Sequence, residues 1–430
     1  MKRAQKYGLV AAVAVVAAAA GIVVAVRGSG AAPGVSGAAT PVAAAGAAGE
    51  FVPGYYGKWP NSLPSTTDFF PIAVWLQDPN RQRDGRPNAV NFQNAGINTF
   101  IGQWEFPTRA DSASRLETLR KHGLYVLAGE DAAASAVKSR TLAGADGLTG
   151  YLLGDEQDMT TNPKHPTPEE VSAAARKIRS LDASRPIYNN WGKAFALNPW
   201  LGAHDDEAGL RRYCSEVDIS SSDYYAATDG YEPAKTHTPA FYGQAVTNVR
   251  NLCGAAKPAW GFVETGHPFA DNPGSWAPFS TDGTIEPAAV EQAVWSMLAH
   301  GANGIVYFVH DFRKGGLTED GLFDHPATVQ TVTRVNAEIR TLAPILNARR
   351  QPAGLTVTGA DATLRADTKG SYVVAAENKG NPGTVQFTLQ GAAGAAVEVV
   401  GENRRLHADA TGTFTDRFDG WGHHVYRIAR

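Results

Sequence analysis

The chain has 430 residues, of which 43% are hydrophobic and 19% charged, with 39 Lys and Arg against 42 Asp and Glu. This length exceeds one ordinary domain and suits a large domain with a smaller companion. The formal net charge of -3 gives no electrostatic basis for binding nucleic acid or anionic lipid, so neither is expected as a partner.

The N-terminus has the composition of an export signal. Lys2, Arg3 and Lys6 precede an uncharged run over residues 7–26, and residues 28–50 are almost entirely Ala, Gly, Pro, Ser, Thr and Val. The run is longer than a usual signal-peptide core and nearly long enough to span a bilayer, so cleavage and retention as an anchor both stay open. We predict a signal peptide or signal anchor over residues 1–27, a flexible linker over residues 28–50, and a secreted or membrane-anchored protein.

Short apolar runs alternate with amphipathic stretches from residue 70 onward, which is the pattern of parallel βα units. The predicted strands cover residues 70–76, 97–104, 124–128, 150–153, 186–190, 217–225, 258–264 and 304–309. The predicted helices cover residues 90–95, 112–122, 239–252, 287–300 and 328–346, and another begins at the capping-box sequence Thr167-Pro168-Glu169-Glu170. Eight such strands predict an α/β fold, a (β/α)8 TIM barrel over residues 51–350. An open doubly wound sheet is disfavoured because no G-x-G-x-x-G follows the first strand.

Residues 351–430 have a different sequence pattern, in which apolar and polar residues alternate between turn sequences and no helical period occurs. They predict a small antiparallel β domain, a sandwich. We expect this domain to pack against the barrel as a structural cap, with carbohydrate binding by Trp421 as the alternative.

The two cysteines of the chain are Cys214 and Cys253. One pair in an exported protein is the count expected for a single disulfide, with two free buried thiols as the alternative. Each cysteine comes a few residues before a predicted strand, the sixth and the seventh. The disulfide is therefore expected at the N-terminal rim of the barrel, away from any chemistry.

Acidic residues end two of the predicted strands. The fourth strand runs into Asp155 and Glu156, and the seventh ends in Glu264. Reacting groups of a (β/α)8 barrel lie at the carboxyl ends of its strands, and strands four and seven face each other across the mouth. Retaining glycosidic cleavage needs two carboxyl groups about 5 Å apart, one protonated to assist the leaving group and one ionised to attack. We predict Glu156 as acid/base and Glu264 as nucleophile; solvated loop acids are the alternative interpretation.

This arrangement resembles the clan A retaining (β/α)8 glycosidases, which include cellulases, mannanases and β-galactosidases. Gly154-Asp155-Glu156 and Val263-Glu264 carry the resemblance, which covers residues 65–350. It implies a glycoside hydrolase with a Glu acid/base after strand four and a Glu nucleophile after strand seven. The clan tends to end strand eight in Trp, and this chain departs from that pattern.

The same resemblance assigns roles to other residues at the strand ends. The clan has a tyrosine after strand six that hydrogen-bonds the nucleophile, and Tyr224 or Tyr225 matches it. It usually has Asn before the acid/base, where the side chain binds the sugar 2-hydroxyl; here Asp155 would accept that bond while adding a negative charge. The remaining candidates for substrate binding are Asn190, His267 and His310 for hydroxyls, and Trp75, Trp104 and Trp191 for an aromatic platform.

Other classes of protein fit the sequence less well. A metal-dependent barrel hydrolase would need His-x-His after strand one, which this chain lacks, and no His cluster has the spacing of metal ligands. A serine hydrolase would need G-x-S-x-G, which is absent. Neither a metal nor another cofactor is expected. The serious rival is a non-catalytic sugar-binding barrel, although such a protein would not need the second carboxylate. An inverting mechanism is a minor alternative, and a monomer is expected.

The substrate is the least determined part of the prediction. Export points to a polysaccharide, a cell-wall glycan or an oligosaccharide. The Ala- and Gly-rich composition is typical of GC-rich bacterial genomes, and such bacteria often carry furanose-containing wall glycans. An exo-acting β-galactofuranosidase is therefore one concrete hypothesis, with an endo-acting β-glucanase or β-mannanase as the alternative.

Overall fold

The structure is a computed structural model. It describes residues 49–102, 109–129, 131–162, 164–197, 200, 202–228, 238–266, 284–312 and 318–429. The predicted targeting segment and most of the linker lie outside the described residues. None of the helices in the described ranges has both the length and the apolar character needed to cross a bilayer.

Eight parallel strands close into a barrel, which confirms the predicted fold class. In chain order they are β1 Ile72–Trp75, β2 Thr99–Ile101, β3 Tyr125–Leu127, β4 Leu148–Asp155, β5 Ile187–Trp191, β6 Ile219–Ser222, β7 Ala259–Glu264 and β8 Ile305–Phe308. Each strand pairs with its neighbour in sequence, and β1 also pairs with β8. All eight carboxyl ends therefore meet at one mouth.

The helices of the described ranges surround the strands. They are α1 Asn88–Asn94, α2 Arg109–Lys121, α3 Asp131–Lys138, α4 Pro168–Leu181, α5 Lys193–Ala196, α6 Glu207–Tyr213, α7 Ala240–Cys253, α8 Pro287–Ala299 and α9 Pro326–Leu346. At the start of α4, the Thr167 hydroxyl accepts from the Glu170 N–H at 3.2 Å, and the Glu170 carboxylate accepts from the Thr167 N–H at 2.7 Å. The predicted capping box is confirmed.

Two hydrophobic cores result from the alternation of side chains along the strands. Residues such as Tyr188, Trp260 and Phe262 point into the barrel, while neighbours such as Ile187 and Val263 pack against the helices. The inner core also includes the segment before β1, from which Phe51, Tyr55, Tyr56 and Leu63 pack at the amino ends of the strands. This segment covers the end of the barrel opposite the mouth.

The C-terminal region forms the predicted antiparallel β domain. Its strands are β9 Arg349–Gln351, β10 Leu355–Thr358, β11 Asp361–Asp367, β12 Gly370–Ala376, β13 Gly383–Leu389, β14 Ala396–Val399, β15 Arg404–His407, β16 Thr413–Phe418 and β17 His423–Ala429. Six of them form one sheet in the order β9-β11-β12-β17-β14-β15, and three form a second in the order β10-β13-β16. Trp421 lies half-buried in a turn, and a sugar-binding role for it stays a prediction.

The predicted disulfide joins Cys214 to Cys253, with the Cα atoms 5.3 Å apart. Cys214 follows α6 and Cys253 ends α7, so the bond joins the ends of two helices that lead into β6 and β7. Its place at the N-terminal side of the barrel is as expected.

Candidate active site

Glu264, the last residue of β7, is fully buried and held by three hydrogen bonds. Its Oε1 accepts from the Ala227 N–H at 3.1 Å and the Thr228 hydroxyl at 3.2 Å, and its Oε2 accepts from the Tyr242 hydroxyl at 2.8 Å. Burial raises the pKa of Glu264 to about 7, while these hydrogen bonds act in the opposite direction. The donors orient the side chain and favour its ionised form.

The tyrosine that the structure places on Glu264 is Tyr242 of α7, a residue that the sequence analysis did not select. Tyr225, one of the two predicted partners, instead donates to Asp223 Oδ2 at 3.1 Å. The other, Tyr224, packs its ring against Phe241. A sequence signal for Tyr242 existed: it lies in the first turn of a helix, on the buried face, and helices of this fold begin near the mouth. A buried tyrosine hydroxyl at that height requires a polar partner.

Glu156 follows β4 in a strained backbone conformation. Its φ is 47°, in the left-handed region that non-glycine residues rarely adopt, and the register of β4 against β5 shifts between Leu152 and Asp155. The Glu156 N–H donates to the Asn190 carbonyl at 3.0 Å, which fixes the turn. Backbone strain of this kind is concentrated at functional sites.

The side chains of Asp155 and Asn190 begin a hydrogen-bonded chain across three strands. Asn190 Nδ2 donates to Asp155 Oδ1 at 2.9 Å, and Asn190 Oδ1 accepts from the Ser221 hydroxyl at 2.6 Å. Ser221 in turn is bonded to the Tyr188 hydroxyl inside the barrel. Asp155 reaches solvent, yet partial loss of solvation among the surrounding protein atoms raises its pKa to about 6, against the lowering effect of Asn190.

Asp158 and Asp223 bring two further carboxylates to this side of the mouth, and the sequence analysis assigned neither a role. Asp223 follows β6 and Asp158 lies in the turn after Glu156. Burial and then the charge of Asp223 raise the pKa of Glu156 well above its usual value, with Asp155 and Asp158 adding to the effect and Lys193 opposing it. The surroundings of Glu156 therefore favour its protonated form, and burial raises the pKa of Asp223 well above its usual value too.

Two of the tryptophans predicted as an aromatic platform do not face the mouth. Trp191 is fully buried between strands and helices, where it stacks on Phe195 at 4.8 Å and donates to Ser220 at 3.1 Å. Trp75 packs inside the barrel against Phe262. These two tryptophans are thus not available as platforms, because the alternation along β5 and β1 directs them into the cores.

His310 is also buried, next to Gln77 and the Leu76 carbonyl, and burial lowers its pKa to about 4. It is a neutral histidine that joins the ends of β1 and β8 rather than a sugar ligand. Trp104 and His267 lie outside the described residues, and their roles stay predictions. Within the ranges that the structure describes, no group of three or more His, Cys, Asp or Glu side chains could hold a metal ion.

Comparisons with known proteins support the fold. No model of a protein family matches the chain, and no curated protein matches its sequence. Among solved structures, an α-amylase from Geobacillus thermoleovorans complexed with acarbose has a TM-score of 0.52 at 11% identity, covering 85% of this chain and 99% of that one. An Anoxybacillus α-amylase has a TM-score of 0.50 at 10% identity, covering 85% and 98%. AmyP in complex with maltose has a TM-score of 0.52 at 8% identity, covering 84% and 96%.

At these identities the likeness shows the fold. The fold that this chain shares with these structures is a parallel (β/α)8 barrel, here followed by a C-terminal all-β domain. The fold predicted from the sequence, a barrel followed by a small all-β domain, is therefore confirmed.

Proposed function

We propose that the protein is an exported retaining glycoside hydrolase, with Glu264 as nucleophile and Glu156 as acid/base. The observation that carries the proposal is the contrast between the two carboxyl groups. Burial raises the pKa of both groups, but three hydrogen-bond donors counteract it at Glu264, whereas the charges of neighbouring carboxylates add to it at Glu156. Pairs of carboxyl groups whose surroundings separate their pKa values are typical of acid and base assignments in glycosidases.

The reaction follows from these two states. A Glu264 oxygen attacks the anomeric carbon, the bond to the leaving oxygen breaks, and the Glu156 proton passes to that oxygen. Water then attacks the glycosyl-enzyme, Glu156 takes its proton, and Glu264 is released as a carboxylate. Both displacements together retain the anomeric configuration. Asp155, the solvent-accessible neighbour of Glu156, and Asn190 behind it are proposed to bind substrate hydroxyls.

The proposed substrate is a polysaccharide, a cell-wall glycan or an oligosaccharide outside the cytoplasm. A more specific proposal is an exo-acting β-galactofuranosidase, with an endo-acting β-glucanase or β-mannanase as the alternative. A screen of aryl pyranosides and furanosides, with the product anomer followed by NMR, separates these possibilities.

A second candidate function is carbohydrate binding without catalysis. It is favoured by one observation, the complete burial of Glu264 beneath Ala227 and Thr228. A nucleophile needs one oxygen accessible to the substrate, so catalysis requires the segment that contains Ala227 and Thr228 to shift when sugar binds. A purely structural Glu264 would instead tie β7 to α7 and never react.

Substitution of the two glutamates tests the proposal. We expect Glu264→Gln to abolish turnover, because an amide cannot form the glycosyl-enzyme. Glu156→Gln should lower kcat/KM by about 10²- to 10⁴-fold, with recovery on aryl leaving groups that need no proton. Glu338→Gln, on a half-exposed glutamate of α9, is the control and should keep wild-type rates. Full activity of both site variants on a hydrolysed substrate would rule out the assignment.

A further inference from the structure

Among the described residues, negative charge predominates in the surroundings of Glu156. Asp155, Glu156, Asp158 and Asp223 act on one another electrostatically, and the charge of Lys193 opposes them at Glu156. Of the strongest charge effects that described residues exert on Glu156, three therefore come from carboxylates and one from an ammonium group. Such an arrangement is unfavourable unless protons or a bound cation neutralise it.

Two of these carboxyl groups have a buried oxygen that accepts no hydrogen bond from the described residues. Asp223 is 9% exposed; its Oδ2 accepts from Tyr225, and no described residue donates to its Oδ1. Asp158 is fully buried; its Oδ1 accepts from the Gly192 N–H at 2.9 Å, and its Oδ2 has no donor in the described part of the chain. Buried carboxylate oxygens normally find donors, and an unsatisfied one costs about 1–3 kcal/mol or more. Asp223, the less deeply buried of the two, is therefore the group to which a ligand at the mouth can supply a donor.

The chemistry of the missing donors follows from charge as well as from hydrogen bonding. A neutral sugar hydroxyl donates one proton but leaves the excess negative charge in place. An ammonium group donates three N–H bonds and carries a compensating positive charge, and charge-assisted bonds of this kind are the stronger ones. Carboxylated, sulfated or phosphorylated sugars are disfavoured at this position by repulsion.

We propose that the glycan substrate carries an unacetylated amino group close to the scissile bond, bound by Asp223 together with Asp155. The inference rests on the proposed function, because it places the amine beside the acid/base of that reaction. In the complex the ammonium and Asp223 cancel each other's charge. Glu156 therefore keeps its proton for the leaving group although Asp223 is ionised.

Protons compete with the amine for the same carboxyl groups. Asp155, Glu156 and Asp158, at and after the end of β4, act electrostatically on Asp223, and Tyr225 donates a hydrogen bond to it. Lys193 of α5 acts on Glu156. As the pH rises, the carboxyl groups lose protons and bind the ammonium more strongly. Affinity for an amino sugar should thus increase from pH 5 to pH 7, whereas affinity for a neutral sugar should not.

The test is a binding measurement on the full secreted chain by calorimetry. The probes are methyl glycosides of 2-amino-2-deoxyglucose, 2-amino-2-deoxygalactose and 2-amino-2-deoxymannose, each compared with its N-acetylated and its parent sugar. At least one amine should bind tenfold or more tightly than both counterparts, with affinity rising from pH 5 to pH 7. Preference for the neutral sugars, or no binding of any amine, would overturn the proposal.

Variants link the preference to the named residues. Asp223→Asn should remove the tenfold preference for the amine. Asp155→Asn should reduce this preference, and it keeps the test available where Asp223→Asn does not fold. Asp218→Asn changes a carboxyl group at the opposite end of the barrel and should keep the preference. A preference that survives in both site variants would also overturn the proposal. Amine binding without hydrolysis of any aryl amino-glycoside would leave this inference standing and contradict the proposed function instead.

Discussion

The hydrogen bond from Tyr242 to Glu264 gives a prediction at the scale of one residue. Replacing Tyr242 with Phe removes a donor that lowers the pKa of Glu264. The nucleophile must be ionised, so the acidic limb of the kcat/KM profile should move to higher pH. At pH 6 to 7 we expect about a tenfold loss of kcat/KM, the size of one hydrogen bond to a charged group.

Tyr307→Phe is the matched control, because Tyr307 is equally buried and donates to Asn336 at 2.8 Å away from the mouth. That variant should leave the pH profile unchanged even where it lowers stability. A Tyr242→Phe enzyme with a wild-type acidic limb would show that Tyr242 does not act through Glu264.

Glu156 and Glu264 could be selected from the sequence because each comes at the end of a predicted strand. The carboxylates that lie near Glu156 could not. Asp223 and Asp158 are single acids in loop-like segments, and only the closed barrel brings them near Glu156. Trp191 was misassigned because the period of two along a strand does not tell which face is inner until neighbouring strands are in register. An aromatic residue at a strand end is therefore a weak signal for a sugar platform.

At the scale of elements, the helices and strands with strong local signals were predicted well. The apolar runs and the Thr167–Glu170 capping box have local physical causes, and the structure confirms them. The predicted sixth strand, residues 217–225, is shorter in the structure at Ile219–Ser222, because the chain turns at Asp223 to reach Glu264. The short helices α3, α5 and α6 were missed, since a turn or two of helix leaves little periodicity to detect.

The disulfide is an element-scale feature with a measurable contribution. Cys214 and Cys253 are 39 residues apart in sequence. The chain-entropy model gives a stabilisation of about 4 kcal/mol for a loop of that length. We expect the Cys214→Ser, Cys253→Ser double variant to lose about 3–4 kcal/mol of unfolding free energy in denaturant titrations.

Catalytic constants of the folded double variant should match the wild type, because the bond lies at the N-terminal side of the barrel. A changed kcat with unchanged stability would contradict this placement.

At the scale of the whole molecule, the β domain and the barrel share a hydrophobic core, to which a buried arginine and an aromatic stack add specific contacts. Arg365 of β11 is fully buried and donates to the carbonyls of Leu346, Ala348 and Ala302. Trp295 of α8 stacks on His423 of β17 at 3.8 Å. The sequence predicted both parts but not this contact, because neither Arg365 nor His423 differs locally from a surface residue.

The buried carboxyl groups predict how stability depends on pH. Burial raises the pKa of Glu264 and of Asp158 to about 7, above the unfolded values near 4. The folded state therefore holds more protons than the unfolded state between pH 4 and 7. The contribution of these two groups to stability is fully present below this window and falls as the pH rises through it, by at most about 1.4 kcal/mol per pH unit for each group.

Chemical unfolding measured from pH 5 to pH 8 checks this sign, and Asp158→Asn should flatten the curve because an amide does not titrate. Stability that rises steadily over the same range would contradict the raised pKa values of Glu264 and Asp158.

The most direct test of the central assignment is covalent trapping at Glu264. A panel of 2-deoxy-2-fluoro aryl glycosides should allow the first displacement and slow the second, so that the sugar stays on the enzyme. Mass spectrometry of the digested protein should find the added sugar on the peptide that contains Glu264. A label on another carboxyl group such as Asp223, or turnover with inversion of the anomeric carbon and no label, would contradict the account.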